Sequence, residues 1–361
     1  MTKRIRVLIS GAGSGTSGNA IRALRATKPK PHTIGMHHDR FVIKQSLADQ
    51  NYLCPEPSSR GFVDAISDII KRKRINVVIP TDDGAVKAIS DGRDRVPIDL
   101  LLPRRDTIDL CQDKFALNVF LRTRDVPAPV TYEVRSLRQI ARIFARFTRT
   151  GVLWCRARRG SRSFAATPVA TVEQARAWII QWRDLQGVQV SDFTLGEYLP
   201  GRHFIVPSVW HNGQLLCTQA VEVLSYFAVG NNPSGTFSLS CLAKTIVAPE
   251  ALQTALRAVR TVDPSPSGVF SVELKETADG VPFVTEINVG RFPAGIMTLL
   301  ATGDDNMIAV FASAASGNLI TVQAPYGSSV ERYLVRDIDA IPGVFSATDL
   351  TMDIVRVGTF R

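Results

Sequence analysis

The sequence contains few cysteines, and no apolar run in it is long enough to cross a bilayer. Its five cysteines are odd in number, lie far apart and lack C-x-x-C spacing, so neither a disulfide framework nor a zinc site is indicated. Residues 1–9 lead directly into a strand pattern instead of a secretory leader. These absences predict a cytoplasmic protein with buried thiols and no membrane contact.

Lysine is also scarce, and arginine supplies most of the positive charge behind the net charge of +10. Such a charge is compatible with a nucleic-acid partner. However, the basic residues are interleaved with acidic ones except around 156–162, and no zinc finger, recognition helix or RNP-like aromatic pair accompanies them. We therefore expect no nucleic-acid partner, and interpret the charge as a solvated basic surface with one phosphate pocket.

A glycine-rich loop follows the first β-branched run, residues 5–10, and leads into a helical pattern that starts near Ala20. Three of its glycines satisfy G-x-G-x-x-G, and an acidic residue follows at about the distance expected of a ribose-binding acid. An NAD(P)-dependent oxidoreductase is therefore one alternative. A tight strand-to-helix turn beneath any parallel sheet also prefers glycine, so the motif alone does not decide. These residues are Gly13, Gly15, Gly18 and Asp39.

Strand and helix patterns alternate along the first hundred residues. Residues 62–73 have apolar side chains at helical spacing and basic residues in the last turn, where they complement the helix dipole. Residues 76–80 read as a strand, and Asp82 is placed to cap the helix that follows. This alternation predicts a parallel sheet covered on both faces, in a unit that ends near residue 103.

The most informative stretch is a predicted β-hairpin late in the chain. Residues 268–275 form the first strand, Asp279-Gly280 gives the turn, and the second strand starts at Phe283. Period-two alternation carries polar, oxygen-bearing side chains toward one face, and such ligands suit Mg²⁺ holding phosphate oxygens. The alternative is a surface hairpin with ordinary solvated carboxylates. The candidate ligands are Glu273, Glu286 and Asn288.

E-x-N followed by R, after a strand glutamate and a D-G turn, resembles the metal-binding end of the ATP-grasp superfamily, particularly the branch like the carbamoyl-phosphate synthetase large subunit. The resemblance implies that Glu273, Glu286 and Asn288 bind Mg²⁺ and that Arg291 contacts a phosphate or acyl phosphate. The commoner family form is E-x-N-P-R, whereas Val289-Gly290 separates the asparagine from the arginine here.

Two further segments resemble phosphate-binding parts of the same family. The D-K pair before a helix implies that Lys114 contacts the nucleotide phosphates. Arg156 stands where the family has a strand lysine, which keeps the charge but replaces an ammonium by a planar fork. The resemblance makes Lys114, Arg156 and Arg291 the catalytic cations. The loop after Arg156, here called the flap, would cover the phosphates with Arg159, Gly160, Ser161 and Ser163.

The segment E-Y-L-P-G, residues 197–201, resembles the family hinge that binds adenosine. The resemblance implies that Glu197, Tyr198 and Leu199 contact the adenosine. After the hinge the family normally has a glutamate for the ribose hydroxyls, and this chain has His203. Because a neutral imidazole accepts only one hydrogen bond, we expect weaker ribose binding.

The resemblance covers essentially the whole chain and implies a mixed α/β and α+β fold class: an ATP-grasp fold with an N-terminal Rossmann-like, pre-ATP-grasp parallel-sheet domain. We expect that domain at 1–103, a small lobe with the phosphate flap at 104–195, and a large lobe with the metal-binding hairpin at 196–361.

The implied activity is that of an ATP-dependent carboxylate–amine ligase, which forms an acyl phosphate and then an amide or peptide bond. The implied cofactors are ATP and Mg²⁺, with Mn²⁺ as a substitute, and the partners are small-molecule carboxylates and amines. A homodimer is left open. Besides the oxidoreductase, the alternative is an ATP-grasp protein that binds nucleotide without efficient catalysis.

Overall fold

The computed structural model describes residues 4–147, 151–160, 163–227, 239–302, 305–318, 322, 325–327, 329–338 and 340–349. Ser161 of the flap lies outside these residues. Within the described part of the chain, none of the helices combines the length and apolar character needed to traverse a bilayer.

The N-terminal part of the chain folds as a parallel sheet with helices on both faces. Its elements are β1 (Arg6–Ile9), α1 (Gly15–Arg25), β2 (His32–His37), β3 (Gln50–Leu53), α2 (Phe62–Lys73), β4 (Val77–Ile79) and α3 (Asp83–Asp91). The strand order is β3-β2-β1-β4, and every neighbouring pair is parallel. Alternate side chains of β1 pack on α1 and on the α2–α3 side. The predicted parallel sheet with two covered faces is confirmed.

Side-chain caps set the starts of helices α1 and α3. The Asp82 side chain accepts a hydrogen bond from the Ala85 amide at 2.8 Å, so the predicted cap of α3 is confirmed. Helix α2 has the predicted bounds. Helix α1 begins at Gly15, earlier than its apolar pattern indicated, because the Ser14 hydroxyl accepts from the Ser17 amide at 3.3 Å.

A smaller antiparallel sheet comes next, preceded by two helices. The elements are α4 (Arg105–Gln112), α5 (Lys114–Arg122), β5 (Thr131–Glu133), α6 (Ile140–Phe144), β6 (Leu153–Ala157), β7 (Thr167–Val169), α7 (Val172–Gln186) and β8 (Phe193–Glu197). The strand order is β5-β8-β6-β7. The predicted boundary at residue 195 thus falls inside β8, which pairs with β5 and β6.

The rest of the described chain builds a large antiparallel sheet. Its elements are β9 (His203–His211), β10 (Gln214–Thr218), β11 (Val221–Tyr226), β12 (Ser240–Thr245), α8 (Pro249–Val262), β13 (Gly268–Glu276), β14 (Pro282–Val289), α9 (Met297–Leu300), α10 (Met307–Ala315), β15 (Arg332–Val335) and β16 (Gly343–Ser346). The order is β14-β13-β9-β11-β12-β15-β16, with β10 beside β9. The predicted hairpin is confirmed as β13–β14.

The buried side chains of the described residues form three apolar cores. Two cores join the parallel sheet to the two faces of the large sheet, and α4 and α5 belong to one of them through Ile108, Leu117 and Leu121. Helices α4 and α5 also pack on β14, although the sequence suggested that residues from 104 onward belong to the small lobe. The small sheet, with α6 and α7, has a core of its own. It is therefore the part of the molecule best suited to move as a unit.

Candidate functional site

The β13–β14 hairpin places two carboxylates and an amide on one face. Glu273 lies directly opposite Glu286 in the register, and Asn288 follows two residues later on the same face. The Asn288 amide nitrogen donates to Oε1 of Glu273 at 3.0 Å and to Oε1 of Glu286 at 3.2 Å. The structure thus brings together the three side chains that were predicted to bind metal.

The donor set fits a divalent cation. One positively polarised amide group already contacts both carboxylates, so a cation between Glu273 and Glu286 would meet hard oxygen ligands from each. Burial alone would raise the pKa of the Glu273 carboxyl, but hydrogen bonding and charge from His203 and the Arg291 guanidinium outweigh it and hold that pKa below its ordinary value. No three His, Cys, Asp or Glu side chains in the described residues form a metal cluster. Asn288 would complete the set only with its amide turned, because its nitrogen now faces the two glutamates and its oxygen accepts from Arg291.

Lys114 reaches this pair from helix α5. Asp113 caps the helix by accepting from the Ala116 amide at 3.1 Å, which fixes Lys114 in the first turn. The Lys114 ammonium donates to the Gly160 carbonyl of the flap and lies 3.7 Å from Oε2 of Glu286. A single cation therefore links the flap to the hairpin, and its contact with phosphates stays a prediction.

Arg156 is almost fully buried and faces the hairpin from the small sheet. Its Nη2 donates to the Thr285 carbonyl at 3.0 Å. The register shifts in the ladder between Glu273 and Leu274, and Thr285 is the residue without a cross-strand partner, so its carbonyl is available to Arg156. Burial lowers the pKa of the guanidinium, while the charges of Glu286 and Glu273 act in the opposite direction.

Arg291 lies beside Asn288 but also binds a residue of the N-terminal unit. Its Nη2 donates to Oδ1 of Asn288 at 2.6 Å and to Oδ2 of Asp83 at 3.2 Å. Gly290 has φ +72°, and a Cβ there would lie 2.8 to 2.9 Å from side-chain atoms of Leu102 and Val86, so the extra residue before Arg291 has to be glycine. Arg291 thus pairs with Asp83, and its contact with a phosphate stays a prediction.

The hinge residues line the end of the cleft away from Arg291. Oε2 of Glu197 accepts from the Val130 amide at 2.7 Å, which uses one carboxylate oxygen to fix the hinge. Leu199 is buried, whereas Tyr198 is partly exposed and its ring lies 6.2 Å from that of Trp154. An apolar wall at a bend is suited to a planar heterocycle.

His203, expected near a ribose, contacts other protein groups. Its Nδ1 is hydrogen-bonded to the Tyr226 hydroxyl, and its Nε2 lies 3.4 Å from Oε2 of Glu273. Both ring nitrogens therefore have partners, and the imidazole adjoins the candidate metal site. Tyr226 was not singled out in the sequence. Burial, followed by the charge of Glu273, raises the pKa of its hydroxyl.

The flap contributes unequally to the cleft. Gly160 and Ser163 line it, whereas Arg159 is 63% exposed and pairs with Asp113 at 3.3 Å. Arg159 instead lines an adjoining pocket, together with Lys114, Gly160 and Glu286.

Sequence reasoning also missed Asp83 as a partner of Arg291, and Lys275 as a cleft residue. Lys275 was recognisable in principle, because it lies two residues after Glu273 on the same strand and therefore on the same face. Burial lowers the pKa of its ammonium group.

The glycine loop after β1 has a packing role. A Cβ on Gly13, whose φ is +98°, would lie 1.9 Å from the Val42 carbonyl oxygen. Asp39, the candidate ribose acid, accepts from the Phe41 and Val42 amides at 2.6 and 3.1 Å. Both features of the dinucleotide motif are thereby explained by the close approach of one turn to the loop.

The hinge residues, the hairpin side chains and the cations Lys114, Arg156 and Arg291 surround one cleft of about 440 Å³. Its hinge end is lined by Glu197, Tyr198 and Leu199, and its centre by Glu273, Lys275 and Glu286. Its far end is lined by Thr16, Thr81, Asp82, Asp83 and Arg291. A parallel-sheet unit, a separately packed small sheet and a large sheet with an acidic hairpin thus enclose the site.

Comparison with known proteins identifies this architecture. No protein-family model and no curated protein sequence matches the chain. Among solved structures, a biotin carboxylase–β,γ-ATP complex from Campylobacter jejuni has a TM-score of 0.71 at 13% identity, covering 93% of this chain and 76% of that chain. An L-amino acid ligase from Bacillus licheniformis has 0.67 at 13%, covering 92% and 80%. A carboxyaminoimidazole ribonucleotide synthase from Aspergillus clavatus, complexed with ATP, has 0.67 at 16%, covering 92% and 82%.

These neighbours are ATP-grasp ligases. The chain has the ATP-grasp fold, with a mixed α/β architecture as predicted. Its place in the branch like carbamoyl-phosphate synthetase stays a prediction.

Proposed function

We propose that this protein is an ATP-dependent carboxylate–amine ligase that binds MgATP in the cleft. The observation that carries the proposal is the convergence of Lys114, Glu273 and Glu286 from three separate elements beside a hinge suited to adenine. An ordinary surface hairpin would leave its carboxylates solvated. Here they are tied to an amide, an imidazole and a lysine.

The reaction would proceed in two displacements. A carboxylate oxygen of the acid substrate attacks the γ-phosphorus, the bond to the β-phosphate oxygen breaks, and ADP leaves. The amine nitrogen then attacks the acyl carbon, phosphate leaves, and the nitrogen loses a proton. No nucleophilic side chain is required, because catalysis of this kind rests on positioning and charge neutralisation.

The protein's part in these steps is to offset negative charge. Glu273 and Glu286 would hold Mg²⁺ or Mn²⁺, with Asn288 as a third ligand. When bound, the metal ion would neutralise charge on the phosphate oxygens. Lys114 and Arg156 would face the phosphates from the other side of the cleft, and closure of the small sheet would exclude water.

Substrate-dependent release of ADP tests the proposal. Purified protein and MgATP are incubated with pooled amino acids and small carboxylic acids, and ADP is measured with and without each pool. ADP formation that depends on an acid and rises with an amine supports a ligase. An oxidoreductase predicts instead that NAD(P)H, and not MgATP, raises the melting temperature.

A second candidate is an ATP-grasp protein that binds nucleotide without efficient turnover. His203 favours it. This residue stands where family members have a ribose-binding acid, and its Nε2 lies beside Glu273 instead. This candidate predicts a melting-temperature rise with MgATP and no ADP formation with any acid and amine. If the arginine is the cause of the low turnover, Arg156→Lys, which restores the family residue, would then raise turnover.

A further inference from the structure

Lys275 is a cation in the cleft that has no partner within the described part of the chain. It lies near the end of β13, lines the cleft and is partly buried. Among the residues that the structure describes, no hydrogen-bond acceptor or carboxylate contacts its ammonium group. A partly buried ammonium without an acceptor is unfavourable, so this position is suited to a ligand that supplies one.

The other lysine and arginine side chains of the described cleft all have partners. Lys114 contacts Gly160 and Glu286, Arg156 donates to the Thr285 carbonyl, and Arg291 pairs with Asp83. These cations gather around the hairpin carboxylates and the far end of the cleft. Among the described cations of the cleft, Lys275 therefore differs in lacking a protein partner.

The fold fixes the place of Lys275 along the cleft. It is two residues from Glu273 on the same face of β13, a separation of about 7 Å along the strand. The carbonyl of the next residue, Glu276, accepts a hydrogen bond from the Gly201 amide of the hinge segment at 3.0 Å. Lys275 thus lies between the candidate metal ligands and the hinge.

His203 is its neighbour across the β9–β13 pair. Because both ring nitrogens of His203 already contact Tyr226 and Glu273, that residue offers no free donor to a ligand in this structure. At this level of the cleft, the Lys275 ammonium supplies a donor.

We propose that Lys275 binds the α-phosphate of the nucleotide. This inference rests on the proposed function, in which the β- and γ-phosphates lie at the hairpin carboxylates and the base lies at the hinge. Between those two points the α-phosphate is the anionic group of a nucleotide. An ammonium with three donors and no counter-ion matches it better than it matches a neutral sugar.

The test is a ladder of ligands that differ in phosphate number. Binding of adenosine, AMP, ADP and ATP, with Mg²⁺ throughout, is measured by calorimetry or competition for wild type, Lys275→Met and Lys275→Arg. Lys71→Met, an exposed lysine on α2, is the matched control. Circular dichroism checks that each variant is folded, and Lys275→Gln replaces Lys275→Met if the latter does not fold.

We expect Lys275→Met to weaken the binding of AMP, ADP and ATP by one common factor, about tenfold to a hundredfold. The affinity for adenosine should stay unchanged. Lys275→Arg should recover most of the affinity, and Lys71→Met should change nothing. An equal loss for adenosine, a loss confined to ATP, or no loss at all would overturn the assignment while leaving nucleotide binding intact. If wild type binds none of the four ligands, the proposed function itself fails.

Discussion

Arg291 and Asp83, 208 residues apart in the chain, form a two-point ion pair that joins the acidic hairpin to the N-terminal unit. The same guanidinium donates to the Asn288 amide oxygen. Because a guanidinium can only donate, it turns the nitrogen of that amide toward the two glutamates. Burial would lower the pKa of Arg291, but the Asp83 carboxylate raises it above its ordinary value. The N-terminal unit thereby influences the orientation of a candidate metal ligand.

Replacing Asp83 by Asn should free Arg291 and disturb the hairpin. Breaking a fully buried pair costs about 3–5 kcal/mol, but Asp83 is 32% exposed, so we expect a loss of about 1–2 kcal/mol in the free energy of unfolding. Urea unfolding measures it, and the Mg²⁺ concentration needed for half-maximal ADP release should rise. Asp64→Asn is the matched control, because its pair with Arg95 lies on the surface. Equal losses in the two variants would show that the Asp83 pair has no special role.

Replacing Glu286 by Gln should abolish ADP release and leave the fold intact. The variant keeps an oxygen for the Asn288 amide but loses the charge that faces Lys114. We expect turnover to fall at least about a hundredfold, the order observed when one preorganised electrostatic group is removed. The rise in melting temperature with MgATP should shrink, while circular dichroism stays unchanged. Glu250→Gln, on the exposed side of α8, controls for a generic loss of charge. Full activity of Glu286→Gln would refute the metal assignment.

A glutamate at position 203 should not restore ribose binding, although the family pattern suggests that it would. The carboxylate would enter the place where His203 now lies, 3.4 Å from Glu273, and like charges at that distance repel. We expect His203→Glu to reduce the thermal shift given by MgATP. His211→Glu, at the exposed end of the same strand, should leave it unchanged. A stronger response to MgATP in His203→Glu would contradict this explanation.

Asp113 should make stability depend on pH. Burial opposes ionisation of its carboxyl, but hydrogen bonds from Arg158 and the Ala116 amide hold its pKa below the ordinary value. A carboxylate with a lowered folded-state pKa stabilises the fold above its unfolded pKa of about 3.9, and this contribution is lost as the pH falls through the folded-state pKa.

The measurement compares urea unfolding of wild type and Asp113→Asn. Asparagine caps helices as well as aspartate, so the variant isolates the charge. We expect it to be less stable by about 1–2 kcal/mol above about pH 5, because the Arg158 pair is only partly exposed. The difference should shrink as the pH falls below about 4. A pH-independent difference would exclude the ion pair as its cause. Asp279→Asn, in the exposed hairpin turn, should show no such trend.

The sequence predicted features that depend on local pattern. The Asp82 cap, helix α2 and the β13–β14 hairpin follow from side chains close together in the chain, and the structure confirms each. The ATP-grasp fold followed from short motifs at the hinge and the hairpin. The roles predicted for Lys114 and Glu286 are untested, although the two side chains do meet.

Long-range partners could not be read from the sequence. Nothing near Arg291 in the chain indicates Asp83, and nothing near His203 indicates that Tyr226 and Glu273 take both its nitrogens. The packing of α4 and α5 on the large sheet is another such case, because the apolar face of a short helix does not specify its partner. Lys275 was overlooked for a different reason, namely that an unpaired lysine becomes notable only once its surroundings are known.

The tilted pair of Trp154 and Tyr198 at the hinge supplies an optical probe. Of the four tryptophans, Trp154 lines the cleft, whereas Trp178 and Trp182 pack together on α7 and Trp210 is fully buried beside Arg260. In a variant that retains Trp154 and has phenylalanine at the other three positions, all tryptophan fluorescence would come from Trp154. Its fluorescence would change when a planar heterocycle stacks at the hinge, so occupancy of the cleft could be followed in real time, before any product forms.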